Sequence, residues 1–239
     1  MKRATILALT LLMIGGSLML LSQEKPRVGV LRFTNNTSSS WWWSASTPTE
    51  LGDMLSAELV ETDAFQVLER KEIDAVIREQ DLSASGAVSK STMVKMGRIK
   101  GARYLVAATV SSFEGQQSGG EGGVRVGGLR IGGKKDKAYL AVDLKVIDTE
   151  TAEIVDAFTI EATSKSKGIK VGYSSGWFGA GLGKYEKTPV GKAIRACIVY
   201  MSEYLSCTLV EGKDAPCYDK WQKYAKKRRA KTKSAIDLE

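Results

Sequence analysis

Histidine is absent from all 239 residues. That absence removes the commonest general base, the commonest metal ligand and any Ser-His-Asp arrangement. Cysteine is scarce. Cys197, Cys207 and Cys217 all lie late in the chain and share no metal-site spacing. In an oxidising compartment Cys207 and Cys217 can pair across a short loop; otherwise the chain carries three unpaired thiols. Nothing in the sequence calls for a metal or a cofactor. Acidic charge is also short. The formal charge is +8, and the segment from Tyr218 to Glu239 supplies most of it, with eight Lys/Arg against three acids. The body of the chain is close to neutral. Hydrophobic residues make up 43%, enough to bury a core and too many for a disordered chain.

The N-terminus reads as an address. Lys2 and Arg3 precede an apolar run from Ala4 to Leu21. Residues 1–22 are therefore either a secretory signal or an uncleaved membrane anchor. Ser22 stands near the place of a lipidated cysteine, so lipidation at this junction is excluded. Export argues against nucleic acid as the partner of the basic tail.

Periodicity yields a mixed α/β domain. Arg27–Phe33 is a β-branched strand, and a polar loop, Thr34–Ser46, follows with Trp41, Trp42 and Trp43 inside it. Thr47, Pro48 and Glu50 form a helix-start signature with a capping box. Further elements are a strand at Phe65–Leu68, a helix around Ile73–Ile77, a polar loop at Asp81–Ser89 and a helix at Ser91–Lys100 capped by Gly101. Strands follow at Tyr104–Phe113, at Ala138–Val146 by strict alternation, and from Ile154. Thr188 and Pro189 open a long helix with an apolar stripe from Val190 to Met201. Adjacent Glu69 and Arg70 read as a structural ion pair. Alternating elements that give way to paired strands imply a mixed sheet with flanking helices.

Two insertions break this order. Residues 114–136 hold nine glycines and four Lys/Arg. Residues 165–187 form the second. Connections this long are functional or disordered rather than part of a compact core. Each hides a period of two: Val124, Val126, Leu129 and Ile131 in the first, and Ile169, Val171, Tyr173, Trp177 and Phe178 in the second. Each insertion is either a glycine-rich surface loop or a candidate membrane β-hairpin. Four strands from one chain cannot close a barrel, so a pore requires a ring of subunits. A Walker-type reading of Gly128–Lys134 fails because Lys135 occupies the place of the Mg²⁺-binding Ser or Thr. The tail, residues 211–239, reads as a solvated basic end, or as a binder of anionic headgroups or an acidic partner.

Four ordered motifs carry a resemblance. They are Arg27-Val-Gly-Val-Leu-Arg-Phe33, Val67-Leu-Glu-Arg70, Met96-Gly-Arg-Ile-Lys-Gly-Ala-Arg-Tyr-Leu-Val106 and Asp143-Leu-Lys-Val-Ile-Asp-Thr-Glu-Thr-Ala-Glu-Ile154. Together they resemble the curli-secretion-channel (CsgG-like) family, with Ala152 in place of the family's turn glycine. The resemblance covers residues 26–210 as the family domain. It implies a non-enzymatic outer-membrane secretion pore facing the periplasm. The pore would be a homo-oligomeric ring, a nonamer as the working count, passing unfolded polypeptide, with a periplasmic accessory protein as a further partner. Each subunit would donate two hairpins to one transmembrane β-barrel. The loop after the first strand would narrow the pore, with constriction positions at Ser38, Trp42 and Trp43 and with Trp41 beside them. The other reading of the same domain is a periplasmic interaction module without a pore.

Overall fold

The computed structural model describes residues 24–38, 41–116, 123–126, 129–132, 137–165 and 188–235. The expected leader therefore lies outside the described residues, as do Ile169, Val171, Tyr173, Trp177 and Phe178 of the second insertion.

A six-stranded mixed sheet organises the domain. The strands are β1 (Arg27–Val30), β2 (Thr34–Asn35), β3 (Gln66–Leu68), β4 (Tyr104–Gln116), β7 (Lys137–Asp148) and β8 (Ile154–Lys165). The spatial order is β3-β1-β4-β7-β8, with β2 beside β4. The edge near the N-terminus is parallel, β1 lying between β3 and β4. The long strands β4, β7 and β8 are antiparallel. A separate antiparallel ladder, β5 (Gly123–Val126) with β6 (Leu129–Gly132), stands between β4 and β7 in the chain. The first strand stops at Val30, short of the expected Phe33. Val106 and Pro48 then provide acceptors for the Leu31 and Phe33 amides, and β2 resumes the pairing on β4.

Helices α1 (Thr47–Glu61) and α3 (Pro189–Ser206) pack together on one face of the sheet. Alternation decides which strand residues meet them: Val106, Ala108 and Val110 of β4, Leu140, Val142, Leu144 and Val146 of β7, and Phe158 and Ile160 of β8 are all buried. Leu55, Leu59, Met201 and Leu205 fill the space above. α3 opens as its sequence predicts. Pro189 occupies the first turn, and the Thr188 hydroxyl accepts from the Gly191 amide at 3.1 Å. With the π-helical turn Cys207–Glu211, this helix is long and apolar enough to cross a bilayer, but its stripe is spent on the sheet.

Several local expectations need correction. α1 begins one residue early: Ser46 is the cap residue, and the Thr47 hydroxyl accepts from the Ser44 amide instead of closing a capping box. Helix α2 (Ile73–Ala84) takes in the first residues of the expected polar loop, as far as Ala84, and ends just before Gly86, which adopts φ 84°. Residues 91–100 are irregular chain with a turn at its start and a bend near Gly97, not a helix. Gly97 at φ 73° interrupts the helical path, and the Ser89 hydroxyl bonds Ser91 and Thr92 locally. Glu69 and Arg70 do not pair. Glu69 accepts from the amides of Lys71 and Glu72, and Arg70 donates to the carbonyls of Glu69 and Lys100. The first insertion starts later than residue 114, because β4 continues to Gln116.

The basic end is a helix, α4 (Pro216–Ser234), docked through Trp221 and Ala225 with most of its Lys and Arg side chains exposed. Trp221 drives its docking. The indole is buried and sits edge-on to Phe158 (5.6 Å) and Tyr204 (5.4 Å). Tyr224 adds a polar contact, its hydroxyl accepting from the Glu161 amide of the edge strand β8 at 3.0 Å. A bond between Cys207 and Cys217, with Cα atoms 5.9 Å apart, ties the start of α4 to the end of α3. The third thiol, Cys197, is buried under the sheet, and burial pushes its pKa up to about 12.

The β7–β8 turn is held by Asp148. Its carboxylate accepts from the Glu150 amide (2.8 Å) and from Arg103 (2.6 Å). That amide and the guanidinium keep its pKa below the usual carboxylate range. Ala152 occupies the left-handed region at φ 59°, a conformation that favours glycine.

Three measurements follow from this packing. The Cys207–Cys217 bridge closes a loop with a sequence separation of 10. The C207S/C217S variant should lose roughly 2–3 kcal/mol in chemical denaturation, by the loop-entropy scale. Ala152→Gly should raise stability by about 0.5–1 kcal/mol, the relief of left-handed strain less the entropy added to the unfolded chain. Because the folded pKa of Asp148 is depressed, its contribution is complete above about pH 4, the unfolded value, and fades as pH falls through the folded one. Asp148→Asn should flatten that acid limb in denaturation curves recorded from pH 2 to pH 6.

Candidate functional site

Three features meet at one end of the sheet. The first is the common end of the long strands. Gln116 pairs with Lys137, and Lys137 pairs with Lys165. The chain leaves β4 and re-enters β7 at this level. It also leaves β8 here, so both insertions spring from three adjacent strands on the same side. The return from the second insertion is pinned at the same place, where the Ser164 hydroxyl donates to the Pro189 carbonyl. A four-residue difference between the ends of β4 and β8 would have staggered the insertions; the register aligns them.

The second feature is the loop after β2. It follows the line of β4 toward the same end. The Thr34 and Thr109 hydroxyls lie 2.7 Å apart, and the Asn36 amide donates to the Val110 carbonyl. The Asn35 side chain then turns the chain by accepting from the amide and hydroxyl of Thr37.

The third feature is an aromatic clasp between that loop and β4. Trp42 packs on Phe113 at 5.0 Å and edge-on to Trp43 at 5.2 Å. Trp41 meets Phe113 edge-on at 5.8 Å. Gly115 makes room for this: a Cβ there would meet Trp41 at 3.2 Å and Phe113 at 3.0 Å. The clasp sits on the last stretch of strand before the chain leaves β4 at Gln116.

The three tryptophans are not equivalent. Trp42 is 4% exposed and belongs to the core, while Trp41 is 60% exposed. Trp43 is half-buried against the core. Ser38 is exposed. Successive side chains in an extended loop point opposite ways, so one indole anchors and its neighbour projects. The Trp42 indole nitrogen is buried without a hydrogen-bond partner among the described residues. Sequence reasoning set Trp42 and Trp43 at the constriction with Trp41 beside them; it could not see that Trp42 is the buried one and Trp41 the exposed one, because burial depends on Phe113, far away in the chain. It also passed over Phe113 and Gly115, whose only signal was an aromatic and a glycine at the end of a strand.

A cleft of about 450 Å³ lies between α4 and strands β7 and β8. Lys145, Lys226, Arg228 and Arg229 line it together with Asp143 and Asp156. Among the described residues no cluster of three or more His, Cys, Asp or Glu side chains could hold a metal ion.

Several solved structures are similar to this chain. The hypothetical protein CT253 from Chlamydia trachomatis is 12% identical, with 77% of this chain and 96% of that one covered and a TM-score of 0.46. The PelC dodecamer from Paraburkholderia phytofirmans is 13% identical, covering 75% and 86%, at a TM-score of 0.39. Lipoprotein GNA1162 from Neisseria meningitidis is 12% identical, covering 62% and 88%, at a TM-score of 0.35. No curated protein sequence matches the chain. The family model described as "Curli production assembly/transport component CsgG" matches residues 13–236, nearly the whole length, and the chain belongs to that family.

Proposed function

We propose that this protein is one subunit of an outer-membrane secretion pore of the curli-channel type, passing unfolded polypeptide without nucleotide hydrolysis. Family membership points to the cell envelope. The observation that carries the pore reading is the convergence at one end of the sheet. Two insertions and an aromatic loop leave the domain at the same level, from Gln116, Lys137 and Lys165. Two hairpins that start side by side can enter one membrane together, and a loop at their base can narrow the opening beneath them. In this reading residues 117–136 and 166–187 cross the lipid, with Val124, Val126, Leu129 and Ile131 on alternate positions of the first hairpin. A homo-oligomeric ring closes the barrel that four strands alone leave open. The rest of the domain, α1, α3 and α4 included, faces the periplasm.

The division of labour among the tryptophans sharpens this reading. Trp41 and Ser38 contact the passing chain, and Trp42 holds the loop in position from within the core. An exposed indole grips extended polypeptide through apolar contact with little demand on sequence.

Purified full-length protein in a planar bilayer should give stable, uniform, nanosiemens-scale steps. Trp41→Ala should raise the step size without lowering the thermal midpoint. Trp42→Ala should instead cost about 3–5 kcal/mol of stability, as large-to-small core changes do. Equal steps from wild type and Trp41→Ala would remove that residue from the neck. A folded protein that never conducts would leave the periplasmic interaction module as the function of this domain.

A further inference from the structure

The edge strand β8 keeps part of its backbone open beneath α4. The Tyr224 hydroxyl accepts from the Glu161 amide at 3.0 Å and donates to the Glu161 carbonyl at 3.4 Å. Both main-chain groups of Glu161 therefore point away from β7. The β7–β8 register is unbroken from the Lys137–Lys165 pair to the Val146–Asp156 pair, so alternate residues of β8 share that orientation. Neighbouring contacts agree. The Ala157 amide donates to the Asp156 carboxylate at 2.9 Å, and Lys213 donates to the Val155 carbonyl at 3.4 Å. Between these tied positions, the amide and carbonyl of Thr159 and the carbonyl of Ala157 face outward with no partner among the described residues.

Ala157 and Thr159 line the cleft between α4 and the sheet. Its volume, about 450 Å³, falls within the range of ligand sites. Tyr218 and Arg229 mark its helical wall and lie about 16 Å apart along the helix axis. The cleft is therefore long rather than round. Phe158 and Tyr204, stacked at 4.2 Å, supply an aromatic wall.

The charge of the cleft is one-sided. Lys145, Lys226, Arg228 and Arg229 stand against Asp143 and Asp156. Both acids are already engaged: Asp143 accepts from the Thr159 hydroxyl at 2.7 Å, and Asp156 accepts from the Tyr204 hydroxyl at 3.0 Å and pairs with Lys213 at 3.7 Å. Beside the cleft, Glu161 bonds Tyr139, and Asp219 of α4 is exposed outside the lining. None of the four cations has an acid partner among the described residues. Packing fixes Arg228 instead. Its guanidinium lies 6.0 Å from the centre of the Phe158 ring, and its Nε is buried without a hydrogen-bond partner. A guanidinium oriented before an anion arrives lowers the ordering cost of binding one.

We propose that this cleft holds a short, extended acidic peptide segment of another protein, laid along β8 opposite Ala157–Thr159 with its carboxylates toward Lys145, Lys226, Arg228 and Arg229. A peptide strand supplies an acceptor for the Thr159 amide and donors for the Thr159 and Ala157 carbonyls, whereas inorganic phosphate at neutral pH is chiefly an acceptor. An extended chain also suits a long cleft with cations on both walls. The site lies about 26 Å along β8 from Lys165, where the second insertion leaves. It is thus separate from the end of the sheet described above and does not depend on the pore reading.

The test uses full-length protein in detergent and a fluorescein-labelled peptide of alternating Val and Asp, blocked at both ends. Fluorescence anisotropy reads binding, and residue-level hydrogen–deuterium exchange follows the Thr159 amide. Binding should be saturable and should slow exchange at Thr159. K226Q/R229Q on the helical wall and K145Q on the sheet wall should each weaken binding roughly tenfold, the loss of charge-assisted contacts. Their melting midpoints should match wild type, because all three side chains are exposed. The uncharged peptide of alternating Val and Asn should also bind roughly tenfold more weakly. Absence of saturable binding, unchanged affinity in both variants, or binding that leaves Thr159 exchange unaltered would each overturn the proposal. Displacement of the peptide by inorganic phosphate or by short-chain phosphatidylglycerol, with Thr159 exchange unaltered throughout, would reassign the cleft to a single anion or a lipid headgroup. Exchange at Thr159 is read on wild type, so the test stands even where a variant melts early.

Discussion

The antiparallel register of β4, β7 and β8 is the constraint on which the rest of this structure depends. Its strands are 12 to 13 residues long and end level with one another. Their alternation sends one set of side chains to α1 and α3 and so builds the core. Their common end launches both insertions together. A slip of one residue would turn the buried valines of β7 to the other face and would stagger the two exits. Asp148 and Arg103 hold the far end of the same ladder, where β7 turns back into β8.

Around this ladder the chain solves its edge problem in two ways. The β3 edge is only three residues long. The β8 edge is covered by α4, whose Tyr224 hydroxyl takes the Glu161 amide that would otherwise be open to pairing. The Cys207–Cys217 bond fixes where α4 begins, and Trp221 fixes how it lies. Lys226, Arg228 and Arg229 of the helix therefore line a cleft against β7 and β8, while its other basic residues are exposed.

The end of the sheet from which both insertions leave is also where the aromatic loop meets β4. The clasp of Trp41, Trp42 and Phe113 joins the loop to the base of the first insertion.

Much of this was legible in the chain. Pro48 and Pro189 mark helix starts because their fixed φ suits the first turn. Alternation from Ala138 to Val146 marks a half-covered strand, and the ordered motifs mark the family. These signals are local, so they survive without knowledge of the fold. The long-range outcomes were not legible. Which tryptophan is buried depends on Phe113, and the docking of the tail depends on Phe158 and Tyr204. The level exits of the insertions depend on a register between strands far apart in sequence. The sequence by itself determined the long strands, the starts of two core helices, the family and the absence of histidine chemistry. Tertiary packing alone decided which indole stays exposed and which surfaces remain uncovered, because burial is settled by partners that meet only once the sheet has formed.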